Sequence, residues 1–188
     1  MFIQTEATPN PATLKFIPGQ PVLPGDTRDF RDADEARAQS PLAGRLFDID
    51  GVAGVFLGAD FIAVTKADGE WQHLKPAILG AVMEHYMSDT PVLADDDRQS
   101  ADSAEQEFFD DGDEETVATI KELLDTRVRP AVAQDGGDIT FQGYKDGIVF
   151  LHMRGACAGC PSSTATLKHG IENLLRHFVP EVSEVRPV

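Results

Sequence analysis

Cys157-Ala158-Gly159-Cys160 contains both cysteines of the 188-residue chain, so any sulfur chemistry belongs there. Two thiols at this spacing suit metal ligation or dithiol redox chemistry, because each uses thiolates presented from a single turn. The flanks say how they are presented. Gly147 to Met153 (Gly-Ile-Val-Phe-Leu-His-Met) is a short run of β-formers, and Leu167, Ile171, Leu174, Leu175 and Phe178 then recur at helical spacing. The thiols are therefore expected on a strand-to-helix turn, with Pro161 at the first helical position and Gly155 and Gly159 easing the backbone. A helix N-terminus aimed at the sulfurs favours thiolate over thiol. An accessible, activated pair at the rim of the fold is the expectation.

Three readings of the pair compete. The plainest is a structural disulfide or a pair of inert thiols, but Met1-Phe2-Ile3-Gln4-Thr5-Glu6 lacks the basic region and apolar core of a secretory signal, and bridging such close neighbours would staple almost nothing. A thioredoxin-like dithiol oxidoreductase shares the local context. However, Pro161 to Val188 suffices for one helix and one short strand, fewer elements than that fold needs after its motif. Metal binding is the third, as a zinc-binding interaction module or an iron–sulfur centre, and both usually require four donors. His152, His169 and His177 do not supply the missing ones, since the last two are eight apart on the expected helix; a surface or half-buried structural role suits all three. Two copies of the chain, each giving Cys157 and Cys160, would complete a four-thiolate site on a symmetry axis.

Asp135-Gly136-Gly137-Asp138-Ile139, the β-rich hairpin after it, Gly155-Ala156-Cys157-Ala158-Gly159-Cys160-Pro161-Ser162-Ser163-Thr164 and Thr166-Leu167-Lys168-His169-Gly170-Ile171-Glu172 together resemble the C-terminal domain of NifU, the Nfu-type iron–sulfur module, over residues 114–188. The resemblance implies a [4Fe–4S] cluster bridging two protomers, with Cys157 and Cys160 of each as its ligands; a [2Fe–2S] form stays open. It also implies a scaffold or carrier rather than an enzyme. Such a protein takes a cluster from an upstream iron–sulfur scaffold and passes it to apo-protein clients by exchange of thiolate ligands.

Composition bounds the partners. The net charge of −16 argues against nucleic acid and anionic membranes, and no apolar run is long enough to cross a bilayer. Met1 to Ala94 carries 7 basic and 13 acidic residues, Asp95 to Glu115 carries 1 and 11, and Thr116 to Val188 carries 8 and 8. Ten of the sixteen excess charges thus lie in one 21-residue segment, which has too little apolar content to order itself. The expected organisation is two small α+β domains, residues 1–90 and 114–188, joined by an acidic flexible linker over 91–113. Phe108-Phe109 in that linker is expected to dock on the second domain. A bacterial cytoplasm is the expected location, or the mitochondrial matrix for a processed organellar protein.

In the first domain, Phe2 to Thr5 and Thr13 to Ile17 read as a hairpin, and Ser40-Pro41 as a capped helix start. Val52 to Leu57 and Phe61 to Lys66 read as a second hairpin, and Lys75 to Ser88 as a helix with Ile78, Leu79, Val82, Met83 and Tyr86 on one side. Phe30 to Gln39 is too polar to assign. Gln4-Thr5-Glu6-Ala7-Thr8-Pro9-Asn10-Pro11, Ser40-Pro41-Leu42-Ala43, Phe56-Leu57-Gly58 and Trp71 with Lys75-Pro76 resemble the Nfu N-terminal domain. With His73 and His85 isolated, no metal is expected there. The second domain reads α-β-β-α-β: a helix capped by Asp111 or Asp113 and ending at Pro130, strands Asp138 to Tyr144 and Gly147 to Met153, the helix after the thiols, and an edge strand near Val182 to Val185. This gives helices on one face of a three-stranded sheet.

Overall fold

The computed structural model describes residues 1–94, 107–158 and 161–188, with backbone alone for 161–163. The chain separates into two compact units, Met1–Ser103 and Ala104–Val188.

In the first unit the described residues form a five-stranded antiparallel sheet in the order β1-β2-β5-β4-β3: Gln4–Ala7, Thr13–Ile17, Ile62–Lys66, Val52–Leu57 and Arg28–Phe30. Phe16, Phe30, Val55, Leu57, Ile62 and Val64 are inside, against helices α1 (Ala33–Gln39), α2 (Pro41–Phe47) and α3 (Trp71–Met87). The Phe30 to Gln39 stretch resolves into the end of β3 and then α1. Helix α1 forms despite its polarity because Asp32 accepts from the Asp34 and Glu35 amides, both at 3.0 Å, and buries a single residue, Ala36. Ser40 caps α2 as expected, its Oγ accepting from the Ala43 amide at 3.1 Å. Helix α3 starts a turn before Lys75, so Pro76 lies inside it; being near the N-terminus, it forfeits one intrahelical bond. Its inward face is Leu74, Ile78, Val82 and His85, while Met83 is 38% exposed, contrary to expectation. Beyond α3, Leu93 is buried and the Ala94 amide donates to Gln39 O at 2.8 Å.

The second unit has the expected α-β-β-α-β order. Helix α4 (Glu114–Leu123) passes through a π turn (Leu124–Val128) into α5 (Arg129–Gln134); β6 (Gly137–Lys145), β7 (Ile148–Gly155), α6 (Pro161–Phe178) and β8 (Glu184–Pro187) follow. The sheet order is β6-β7-β8, with β6 antiparallel and β8 parallel to β7. Val149, Leu151 and Met153 alternate along β7 toward a core that includes Ile120, Leu124, Ile139, Ile171, Leu175 and Val185. Two expectations are corrected here. A 3-10 turn at Asp111–Asp113 leads into α4, and neither aspartate makes a side-chain cap bond. Nor does the helical path end at Pro130: in the π turn the Arg129 amide donates to Leu124 O, five residues back, and the wider turn accommodates the proline ring.

Phe108 docks on this sheet. Its amide donates to Gln142 O at 3.2 Å, its carbonyl accepts from the Tyr144 amide at 2.9 Å, and its ring lies 5.1 Å from that of Phe150. It sits over Gly143, at the bulge where the β6–β7 register shifts. Both ends of the acidic segment are thus packed, each on its own unit; residues 95–106 lie outside the described residues.

Candidate functional site

The thiol turn grows out of the end of β7. Gly137 of β6 is paired with Gly155 of β7, and Gly155 has φ +66°, a left-handed conformation that folds the chain back after the strand. The Ala156 amide then donates to Gly136 O, and the Ala158 amide to Gly155 O, both at 3.1 Å. Thr164 in the first turn of α6 donates its hydroxyl to Cys157 O at 3.0 Å. Cys157 is thereby tied to both the hairpin and the helix.

Its side chain points inward. Cys157 is 6% exposed and belongs to the core of the unit. A Cβ on Gly137 would lie 2.6 Å from its Sγ, 2.8 Å from Arg154 O and 3.2 Å from its own amide nitrogen, so only glycine leaves room for the sulfur there. Burial pushes the thiol up to about 12, and the negative charges of Asp135 and Asp138 add to the rise. The expectation of a thiolate at the rim is overturned for this residue: α6 does begin at Pro161, but withdrawal of the sulfur from water outweighs the helix end. Cys160 lies outside the described residues.

Around the thiol the Asp-Gly-Gly-Asp turn is braced. Asp138 is 4% exposed, and Arg129, at the start of α5, grips it with Nε to Oδ1 and Nη2 to Oδ2, both 2.9 Å, a two-pronged fit of planar guanidinium to carboxylate. Nη1 of the same arginine donates to Asp125 Oδ1 at 3.2 Å. Nothing in the sequence singled out Arg129. The only available signal was an arginine nine residues before an aspartate of the glycine turn, and that spacing carries no meaning until the π turn brings the two together.

His169 and His177 are exposed and His152 half-buried, in keeping with structural roles. In the first unit His85 proves to be fully buried, and neither ring nitrogen has a hydrogen-bond partner among the described residues. Burial, and then the Arg45 charge, hold it below the usual histidine range. Trp71 is half-buried, and its Nε1 donates to Pro11 O at 3.2 Å. Among the described residues no group of three or more His, Cys, Asp or Glu is placed to hold a metal ion, and no helix is long and apolar enough to cross a membrane.

Residues 3–89 match the family described as scaffold protein Nfu/NifU N terminal, and residues 120–186 match the NifU-like domain. The chain is 50% identical over 190 residues to the human protein named NFU1 iron-sulfur cluster scaffold homolog, mitochondrial, covering 100% of this chain and 72% of that protein. It is 52% identical over 188 residues to NifU-like protein 4, mitochondrial, of Arabidopsis thaliana, and 50% identical over 190 residues to the Drosophila sechellia protein of the same name as the human one. It spans 65% of the length of each of these last two relatives. A solution structure of a NifU-like protein from Saccharomyces cerevisiae aligns with 50% of this chain and 86% of that one, at 26% identity and a TM-score of 0.45. With both domains matched in order and half of all positions identical across its whole length, the chain belongs to the Nfu/NifU scaffold family.

Proposed function

We propose that the protein is an iron–sulfur cluster carrier: two copies hold one [4Fe–4S] cluster as cargo through Cys157 and Cys160 of each, and release it to apo-protein clients. The observation that carries this reading is Cys157 on the turn between β7 and α6, with Cys160 three residues on in the sequence, in a chain of this family. Soft thiolates are the donors that iron–sulfur clusters take, and two per chain leave half a ligand set to a second copy. Each ligand must lose its proton to bind. For Cys157 that also means leaving the pocket under Gly137, so the turn at 155–158 has to swing out as cargo arrives. Release runs the other way: an acceptor thiolate replaces one ligand at a time, and a freed Cys157 returns to the core. The protein turns over no substrate chemically in this scheme.

The buried Cys157 also bears on the dithiol oxidoreductase. That chemistry also needs an exposed thiolate, so Cys157 would have to leave the core for it as well. A reducing compartment, a bacterial cytoplasm or a mitochondrial matrix, in line with the word mitochondrial in the relatives' names, keeps both thiols free for cargo. Within the pair of units, the second holds the cluster and the first engages the client, whose local supply of cluster it raises by tethering.

Iron and sulfide analysis with mass in solution tests the reading. Reconstituted full chain is expected to carry about four irons per two chains, and to lose the cluster and the dimer together with a chelator. A cluster-bearing monomer, or zinc in place of iron, would overturn it.

A further inference from the structure

We propose that Arg129 and Asp138 are positioning residues for Cys157: by clamping the start of β6 they hold Gly136 and Gly137 beneath the sulfur, and so set how readily this thiol leaves the core. The contacts form an unbroken series. Arg129 holds both carboxylate oxygens of Asp138 at 2.9 Å. Asp138 follows Gly137, whose missing Cβ makes the space for Sγ, and Gly136 O accepts from the Ala156 amide immediately before the cysteine. The π turn is what delivers the arginine: it inserts a residue between α4 and α5 and so sets the direction in which Arg129 leaves the helix. Such turns are inserted at a cost to helix regularity and recur at functional sites. The geometry also accounts for the aspartate. At 4% exposure its charge needs a partner, and the arginine's planar fork supplies one without occupying the thiol's space.

Two consequences separate this clamp from ordinary packing. Loosening it should free Cys157 selectively, since the contacts of Gly136 and Gly137 are with Ala156 and Cys157. Replacing the arginine by lysine keeps the charge but loses the two-pronged grip, and should give an intermediate effect.

The experiment uses the full, cargo-free chain and the alkylating probe iodoacetamide, with the modification of each cysteine followed separately by peptide mass spectrometry. Arg129→Met and the isosteric Asp138→Asn are expected to speed alkylation of Cys157 by about tenfold, through more frequent local opening, while Cys160 changes by less than about twofold. Arg129→Lys should fall between. Amide exchange over β6 and β7 reports whether each variant is folded. If Arg129→Met unfolds, Asp138→Asn and Arg129→Lys carry the test. An unchanged Cys157 rate in the folded variants overturns the clamp, as does an equal rise at both cysteines, which would signal general loosening.

The clamp bears on cargo only through the carrier function proposed above, so cluster uptake is measured on the same variants. Faster uptake at unchanged iron stoichiometry supports a role in ligand release; an uptake rate unmoved by a freed Cys157 overturns that role. Failure of the unaltered chain to load a cluster would sink the carrier function and leave the alkylation result standing.

Discussion

Two buried groups of the first unit, Ser40 and His85, contrast with Cys157 of the second. Ser40 and His85 both sit at or within regular helices, whereas Thr13 and Lys15, also buried, lie on β2. Ser40 is fully buried at the start of α2, its hydroxyl accepting from the Ala43 amide and donating to Val92 O at 2.5 Å, so both of its roles are filled. His85 is fully buried on α3, and neither of its ring nitrogens has a hydrogen-bond partner among the described residues. In the second unit, Cys157 is buried on a turn held by two backbone bonds, from the Ala156 and Ala158 amides, and by the Thr164 hydroxyl on its own carbonyl. A helix resists local opening because several hydrogen bonds must break together, whereas a turn opens at lower cost. A histidine on a helix is therefore expected to stay buried, whatever its cost, and a cysteine tucked under a turn is one that can be released.

The largest expected effects test whether the cores themselves are comparable. Leu42→Ala in the first unit and Ile139→Ala in the second each remove a fully buried side chain, and each should cost about 3 kcal/mol, read from denaturant unfolding with amide exchange resolved by residue. A much smaller cost for Ile139 would mean that the second core is loosely packed, and the contrast would then reflect packing rather than backbone. Next comes Cys157→Ser, which places a hydroxyl in an apolar pocket and should destabilise the second unit by about 1 to 2 kcal/mol, with Cys157→Ala costing less. A serine variant as stable as the original would place the thiol in water and erase the contrast. On the proposed function the same variant also stops holding iron, measurable as metal content after reconstitution.

Ser40→Ala is expected to cost about 1 kcal/mol by removing the cap of α2 and orphaning the Val92 carbonyl. His85→Leu should act in the other direction, stabilising the first unit by under about 1 kcal/mol at neutral pH, since it deletes two unpaired buried nitrogens. The histidine's pH dependence has a definite sign. Its folded pKa lies below the unfolded one, so the unfolded chain takes up the proton first. The penalty is absent above the unfolded value, about 6.5, and grows as pH falls through it. Acid titration of stability should show this loss in the original chain and a reduced loss in His85→Leu; equal slopes would mean that His85 finds a partner on protonation.

Much of the architecture was legible because it rests on local signals. Ser40-Pro41 declared the start of α2 by cap and proline chemistry, and the short turn between β6 and β7 was set by the residues between two apolar runs. Helix α1 escaped notice because a helix that buries only Ala36 needs no apolar stripe. The path through Pro130 was misjudged for a related reason: a proline ends a regular helix, and a π turn leaves no trace in hydrophobic spacing.

The sequence by itself determined the chemistry on offer and its location: one pair of soft donors, placed between a strand and a helix, in a neutral domain behind an acidic segment. Residue type and spacing suffice for that, since periodicity reports elements and a cysteine pair reports its own reactivity. Only the tertiary structure decided the state of Cys157. Whether a thiol at a helix entrance meets water or the core depends on the backbone opposite it, here Gly137 on a strand twenty residues earlier, held there by an arginine from another helix. Burial is a property of what surrounds a residue after folding, and in this protein it overrode the helix end that the local sequence had pointed to.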